Sequence, residues 1–285
     1  MPLEEAGRTA EEVLGILTRR GLPNYFGPQR FGSRGSNDLL GRAIIRDEPE
    51  AFIDLMLGQP NKGVDLPLTF QARRLYVQGA YQAAVGVWPR QFHEHRRALK
   101  ALAKSGGDKQ SAFDSVDKHL KTLFISAYQS RVFNRVLAAR MPRIDTLLLG
   151  DMAYKHANGA SFPVEWPQTE QARCNEFEIS PTGPLIGKRT TRLTGPAGAI
   201  ENPILEAEGL TEDEFRHMKR HGARGGRRPL RVKPRDVHAE TGQDDLGPYL
   251  ELHFELDSGC FATTLLAEIT KDRQMLSSPP PGANE

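Results

Sequence analysis

The chain has 285 residues, 38% hydrophobic and 26% charged, a globular balance with room for one large domain or two smaller ones. A formal net charge of +2 excludes a bulk polycation, so any nucleic-acid surface must be local. The two cysteines, Cys174 and Cys260, form no Cys-x-x-Cys pair, which excludes a zinc ribbon or dithiol motif and leaves two buried or idle thiols. The opening Met-Pro-Leu-Glu-Glu lacks the basic and apolar regions of a secretory signal, and no apolar run approaches the roughly 20 residues needed to cross a bilayer. A soluble, cytoplasmic protein is expected.

Thr9 to Arg20 reads as a helix, with Thr9 and Glu12 as a capping box, an apolar face of Val13, Leu14, Ile16 and Leu17, and Gly21 as the stop. Residues 21–32 read as a loop whose three glycines and two prolines alternate with aromatic and polar side chains. Helical spacing returns over Asp38–Leu57 and Thr69–Lys104, with a break near Pro89. Ser105-Gly-Gly is a linker. Ser111–Arg140 reads as the longest helix, carrying Val116, Leu120, Phe124, Ala127, Val132 and Val136 at three- and four-residue steps, with Pro142 at its end. Beyond it, Thr146–Ala153 and Ser161–Val164 read as short strands, and Glu178–Gly187 as a turn-dense loop. Residues 188–240 show little periodicity. Tyr249–Leu256 alternates as a half-buried strand, Cys260–Lys271 reads as a helix, and Ser277–Glu285 as a disordered tail. The fold class is α+β.

Four constellations bear on chemistry. The first is the loop set Asn24, Tyr25, Phe26, Gln29, Arg30 and Phe31, whose aromatics could stack on unstacked bases or simply pack in the core. The second is a basic run between Arg216 and Arg235 that no Asp or Glu interrupts. Arg220, Arg224, Arg227 and Arg228 in it are candidate RNA-backbone contacts, against the alternative of a solvated face balanced by nearby acidic stretches. The third is His93/His95 and His217/His221, spaced as metal ligands can be but with no third ligand evident nearby, so exposed or RNA-facing histidines are expected and no metal. The fourth is Phe261 after the Ser258-Gly259 turn, a core residue or a base platform. No catalytic triad, Walker loop or dinucleotide fingerprint is present.

Taken together, these stretches resemble the TruD family of tRNA pseudouridine synthases. Pro23-Asn-Tyr-Phe-Gly-Pro-Gln-Arg-Phe-Gly32 resembles its signature segment, and Ser126–Arg140 its Ser-x-x-x-Phe-Asn helix. Gly150-Asp-Met-Ala, Glu178–Gly187 and Gly259-Cys-Phe-Ala-Thr-Thr-Leu-Leu-Ala-Glu268 match further family segments in family order, so the resemblance covers about residues 9–272. It implies a mixed-sheet catalytic domain formed by residues 1–32 and 246–276, with a mostly helical insertion at 33–245 and a disordered tail at 277–285. It also implies a reaction without cofactor or metal, in which a tRNA uridine, uridine thirteen in the bacterial family, is flipped out and isomerised to pseudouridine. Phe261 then matches the aromatic that packs on the base, and Asn24, Gln29, Arg30 and Phe31 the segment that shapes the cleft. The family's catalytic aspartate lies in a Gly-x-Lys-Asp block upstream of the Asn-Tyr-Phe-Gly segment, and the 22 residues before Pro23 do not contain it. No catalytic residue is therefore assigned. A sheet without those strands is expected to leave an open edge. The alternatives are a portion of an active synthase, a non-catalytic tRNA-binding module, or a degenerate product.

Overall fold

The computed structural model describes residues 2–272, so the expected disordered tail lies outside the described residues. The elements, in chain order, begin with α1 (Leu3–Arg20), β1 (Leu22–Pro23), α2 (Asn37–Ile45), α3 (Pro49–Leu57), α4 (Pro67–Val77), α5 (Tyr81–Val87), α6 (His93–Ser105), α7 (Lys109–Ser115) and α8 (Lys118–Arg140). They continue with β2 (Met152–Lys155), β3 (Ser161–Pro163), α9 (Pro167–Asn175), β4 (Ile179–Leu185), α10 (Gly195–Glu206) and α11 (Glu212–Arg220). The chain closes with β5 (Gly226–Pro229), β6 (Arg231–Val232), β7 (Arg235–Asp244), β8 (Gly247–Glu255) and α12 (Ala262–Thr270). The fold is α+β, as expected. Among the described residues no helix is long and apolar enough to cross a membrane.

The chain divides into two compact units. Among the described residues, unit one gathers 2–27, 132–209 and 225–272; unit two gathers 28–131 and 210–224. These limits differ from the boundaries drawn from sequence, since 132–209 and 225–245 pack with the two chain ends, and the division falls inside α8.

In unit one, β3, β2, β4 and β5 form an antiparallel sheet in that order, β1 pairs with β6, and β7 with β8. Leu14 and Leu17 of α1, Leu22, Val232 and Leu265 are buried together, with Leu252 and Phe254 of β8 packed against them. Helix α1 starts six residues earlier than expected. Thr9 and Glu12 are exposed positions inside it and cap nothing, and Ile16, placed on the apolar face by sequence, is 45% exposed. The expected stop holds: Gly21 lies at φ +96°, and a Cβ there would sit 2.9 Å from Arg231 Cδ.

Residues 178–187 correct the loop expectation, for β4 is the third strand of the sheet and almost wholly buried. Its two prolines argue against a central strand, because proline cannot donate to a ladder. The register explains the exception. Ile179–Pro181 pair with β2 and Thr182–Leu185 with β5, and on the β5 side Pro181 takes part only as an acceptor, its carbonyl receiving the Leu230 N–H at 2.9 Å. At its centre a Cβ on Gly183 would come 2.8 Å from Leu230 and 3.0 Å from Phe133.

Unit two is helical. The stretch 38–57 splits into α2 and α3 around Arg46–Glu48, and 69–104 into α4, α5 and α6, with Pro89 in the second gap. The expected single helix 111–140 is two, because Val116 is extended and buried. Asp117 then restarts the chain, its Oδ1 accepting from the N–H groups of His119 (2.8 Å) and Leu120 (3.2 Å). On α6, His95 stacks on Trp88 with ring centroids 5.1 Å apart. Burial, and then the charges of Arg73 and Arg34, lower its pKa from the ordinary 6.5 to about 4.

That imidazole stays neutral in the fold while the unfolded chain takes up a proton near pH 6.5. Stability is therefore complete above that pH and falls as pH drops toward 4, by about 3 kcal/mol in total. Urea titrations at pH 7.5 and pH 5 should show this loss in the wild type and a smaller one in His95→Phe. An equal loss in both would mean that His95 does not carry it.

Candidate nucleic-acid interface

The signature segment enters unit one immediately after β1. Asn24 is buried, its N–H donating to Leu230 O (2.9 Å) and its Nδ2 to Pro229 O (2.9 Å), so it prolongs the β1–β6 pairing by one residue. Two residues on, the backbone of Phe26 is gripped from α8. Asn134 Oδ1 accepts the Phe26 N–H and Asn134 Nδ2 donates to the Phe26 carbonyl, both at 2.9 Å. The side-chain amide thus replaces a neighbouring strand.

This grip sets the Phe26 ring edge-on to Phe133 (centroids 5.5 Å) and to Phe261 (5.9 Å). The Arg228 guanidinium lies over Phe26, its Cζ 4.3 Å from the centroid, in cation–π range. Arg228 Nη2 donates to Gly259 O (2.9 Å) and to Asn24 Oδ1. Phe261 is the N-cap of α12, its carbonyl accepting from Thr264 N–H (3.0 Å) and Thr264 Oγ1 (2.6 Å), and its ring is only half-buried, unlike Phe26. Burial, and then the nearby Glu268 charge, push the Tyr25 phenol up to about 12, so it remains a donor. A half-open aromatic face, a fixed guanidinium plane and an anchored amide are the groups that hold an unstacked base.

The structure brings Asn24 and Phe261 into one cluster through Arg228 and Phe26. Gln29, Arg30 and Phe31 are on a 3-10 turn of unit two, with Gln29 exposed, Phe31 buried, and Arg30 half-buried so that desolvation lowers its guanidinium pKa. The basic quartet is divided. Arg220 and Arg224 are exposed in unit two. Arg227 is corrected: its side chain is 4% exposed and forks onto Glu201 (Nη2 to Oε2 2.7 Å, Nη1 to Oε1 2.9 Å), with Nε on Thr182 Oγ1 (2.7 Å). A guanidinium so enclosed is no open phosphate contact. Arg228 is corrected too, belonging to the aromatic cluster rather than to a free basic surface. Sequence reasoning missed Phe133 and Asn134 as partners of the cluster. Their signal was the adjacent Phe-Asn pair in the 126–140 segment.

Asn134→Ala removes both bonds to the Phe26 peptide. It should destabilise the chain by about 2 kcal/mol in urea unfolding, and a change under about 0.5 kcal/mol would show that the clamp is dispensable.

The family model for tRNA pseudouridine synthase D (TruD) matches residues 2–269. The tRNA pseudouridine synthase D of Geobacter metallireducens is 39% identical over 269 residues, covering 94% of this chain and 65% of its own length. That of Geobacter sulfurreducens is 39% identical with 94% and 64% covered, and that of Thermus thermophilus 33% identical with 92% and 53% covered. A crystal structure assigned as TruD from Methanosarcina mazei superposes with a TM-score of 0.79 at 24% identity, covering 95% of this chain and 66% of that one, which shows a shared fold. The chain spans just under two thirds of the length of the first of these relatives. Because the family model matches it over residues 2–269, the chain belongs to the tRNA pseudouridine synthase D (TruD) family.

Proposed function

We propose that this chain supplies the base-holding side of a tRNA pseudouridine synthase, an isomerase that converts a tRNA uridine, uridine thirteen by the family resemblance, to pseudouridine. The observation that carries the reading is the half-exposed Phe261 ring set edge-on to a Phe26 that Arg228 and Asn134 immobilise. An extruded uracil stacks on Phe261, while Asn24 and Arg228 shape the cleft by holding Phe26 and the Gly259 turn behind that ring. The glycosidic bond breaks, the uracil turns on this platform, and carbon 5 rejoins the ribose carbon while losing its hydrogen. Holding the detached base against escape is the task of these side chains, and no metal or cofactor is required. The attacking aspartate is assigned to no residue here.

In this reading α1, β7, β8 and α12 belong to the catalytic domain, and the helices of unit two to the insertion. Gln29, Arg30 and Phe31 contact the same RNA. Arg220 and Arg224 contact its backbone.

A second reading is a tRNA-binding module without turnover, because the cluster of Asn24, Phe26, Phe133, Arg228 and Phe261 offers groups to hold a base but no carboxylate to act on the ribose. The test is one assay with two readouts on tRNA labelled with tritium at uridine carbon 5. Binding should be tight at low salt and fall steeply as salt rises, and undetectable binding at low salt would sink both readings. Tritium release supports isomerisation by the chain; binding without release favours the module. In a protein that joins this chain to the family's Lys-Asp block, Phe261→Ala should cut kcat at least tenfold with tRNA affinity within about twofold. Unchanged turnover would return Phe261 to the core.

A further inference from the structure

Away from the aromatic cluster, unit two brings together cations from helices about a hundred residues apart in sequence. Helix α11 is polarised. Glu212, Asp213 and Glu214 occupy its first turn, locked by the Thr211–Glu214 capping box, while Lys219 and Arg220 lie in its last turn. Arg216 is paired with Asp213, and Glu214 with Arg46, so the acidic end is internally matched. At the basic end, Thr122 Oγ1 of α8 donates to the His221 carbonyl at 3.0 Å, which seats the end of α11 beside the first turns of α8. Those turns carry Lys118, which is exposed, and Lys121, whose stem is buried with its Nζ 3.9 Å from the centre of the Phe113 ring.

His221 is held between them. Its Nδ1 is buried and makes no hydrogen bond. Lys121 and Lys118 of α8 and Arg220 of α11 are the cations acting on it, with the His217 imidazole beside them. Burial, and then these charges, hold its pKa below the ordinary imidazole range. His217 itself bonds through Nδ1 to the Ile45 carbonyl of α2 at 3.2 Å. The carboxylates of Asp114 and Asp117 act on Lys121, and Asp117 is already engaged as the cap of α8. Next to His221, Gly222 lies at φ +81° with nothing within 4 Å of where a Cβ would be, leaving open backbone at the basic end. Unmatched positive charge around a half-buried imidazole is the electrostatic signature of a surface awaiting an anion.

We propose that the junction between the last turn of α11 and the first turns of α8 is a phosphodiester-binding surface, on which an RNA backbone lies against the exposed Lys118, Lys219 and Arg220, with Lys121 adding charge from beneath, and a proton is taken up on His221. The inference rests on the RNA-binding reading above and extends it to residues of α8 outside the basic run. The phosphate supplies the negative charge that the site lacks, so imidazolium becomes the favoured form once RNA is bound. By linkage, affinity rises as pH falls through the range in which bound His221 protonates and free His221 does not.

The test uses the full chain and an unmodified tRNA transcript, with affinity followed by fluorescence anisotropy against salt at pH 7.5 and 5.5. Lys118→Ala/Lys219→Ala/Arg220→Ala changes only exposed side chains, and an unaltered circular dichroism melt will confirm its fold. It should lose at least about tenfold in affinity and lower the slope of log affinity against log salt by about two. His221→Gln should match the wild type at pH 7.5 and gain about tenfold less affinity on going to pH 5.5. Wild-type affinity and slope in the triple variant, or a wild-type pH response in His221→Gln, would overturn the proposal while leaving RNA binding elsewhere intact. A triple variant that loses binding to phosphatidylserine vesicles but keeps tRNA would overturn it in favour of a lipid surface. A wild-type chain that does not bind tRNA would remove the RNA reading and this inference together.

Discussion

Arg228 is the tie on which the candidate base platform depends. Its guanidinium joins Asn24, the Phe26 ring and the Gly259 carbonyl, drawing together two segments that lie about 30 and 200 residues from it in sequence. A guanidinium suits this place because its plane can lie on an aromatic face while its fork bonds oxygens in that plane, which an ammonium cannot do. Phe261 can remain half-exposed because the residues behind it are pinned: Phe26 by Arg228 above and by Asn134 at its backbone, and Phe261 by Thr264 at the start of α12. Groups pinned in this way are ordered in advance, so a ligand that met them would not have to order them on binding.

The same chemistry explains why the basic run is not one feature. In solution its arginines are alike; in the fold they separate by depth. Arg231 is 1% exposed, with Nη1 on the Arg20 carbonyl (2.6 Å) and Nη2 on the Cys174 carbonyl (2.5 Å), so it fastens the end of α1 to that of α9. Arg227 and Glu201 form an enclosed pair, as do Arg140 and Asp151 where α8 meets the Gly150 turn. Around Asp151 the desolvation outweighs the attraction of Arg140, and the carboxyl pKa is raised rather than lowered. Such pairs specify an arrangement more than they stabilise it, yet removing either partner strands a buried charge at a cost of about 3–5 kcal/mol. Lys219, Arg220 and Arg224 stay exposed at the surface.

Unit one is discontinuous in sequence, and the short strands are a consequence. Strands β1 and β6 pair over only two residues each, with more than two hundred residues between them, and they hold because Leu22 and Val232 are buried together with Leu14, Leu17 and Leu265. Strand β4 tolerates two prolines because each half borrows a different neighbour. The hairpin β7–β8 divides its faces. Val237, Ala239, Leu252 and Phe254 pack toward α1, while His238 and His253 stack across the strands on the other side with centroids 4.3 Å apart.

Local periodicity and turn chemistry by themselves determined the α+β class, most of the helical spans, the alternation of β8 and the turn at Gly21. These are properties of neighbours along the chain, where spacing and capping chemistry act directly. Tertiary structure alone decided the rest. It made residues 179–185 of the expected loop 178–187 a strand, because proline's missing donor matters only if a partner strand needs it. It began α1 at Leu3 and left Thr9 mid-helix, because burial of Ala10, Leu14 and Leu17 holds the helix without that cap. It also turned Arg227 and Arg228 inward while leaving Arg220 and Arg224 outside. Whether an arginine contacts phosphate, carboxylate or an aromatic face depends on groups that are distant in sequence, and only folding brings Glu201 to Arg227 or Phe26 to Arg228.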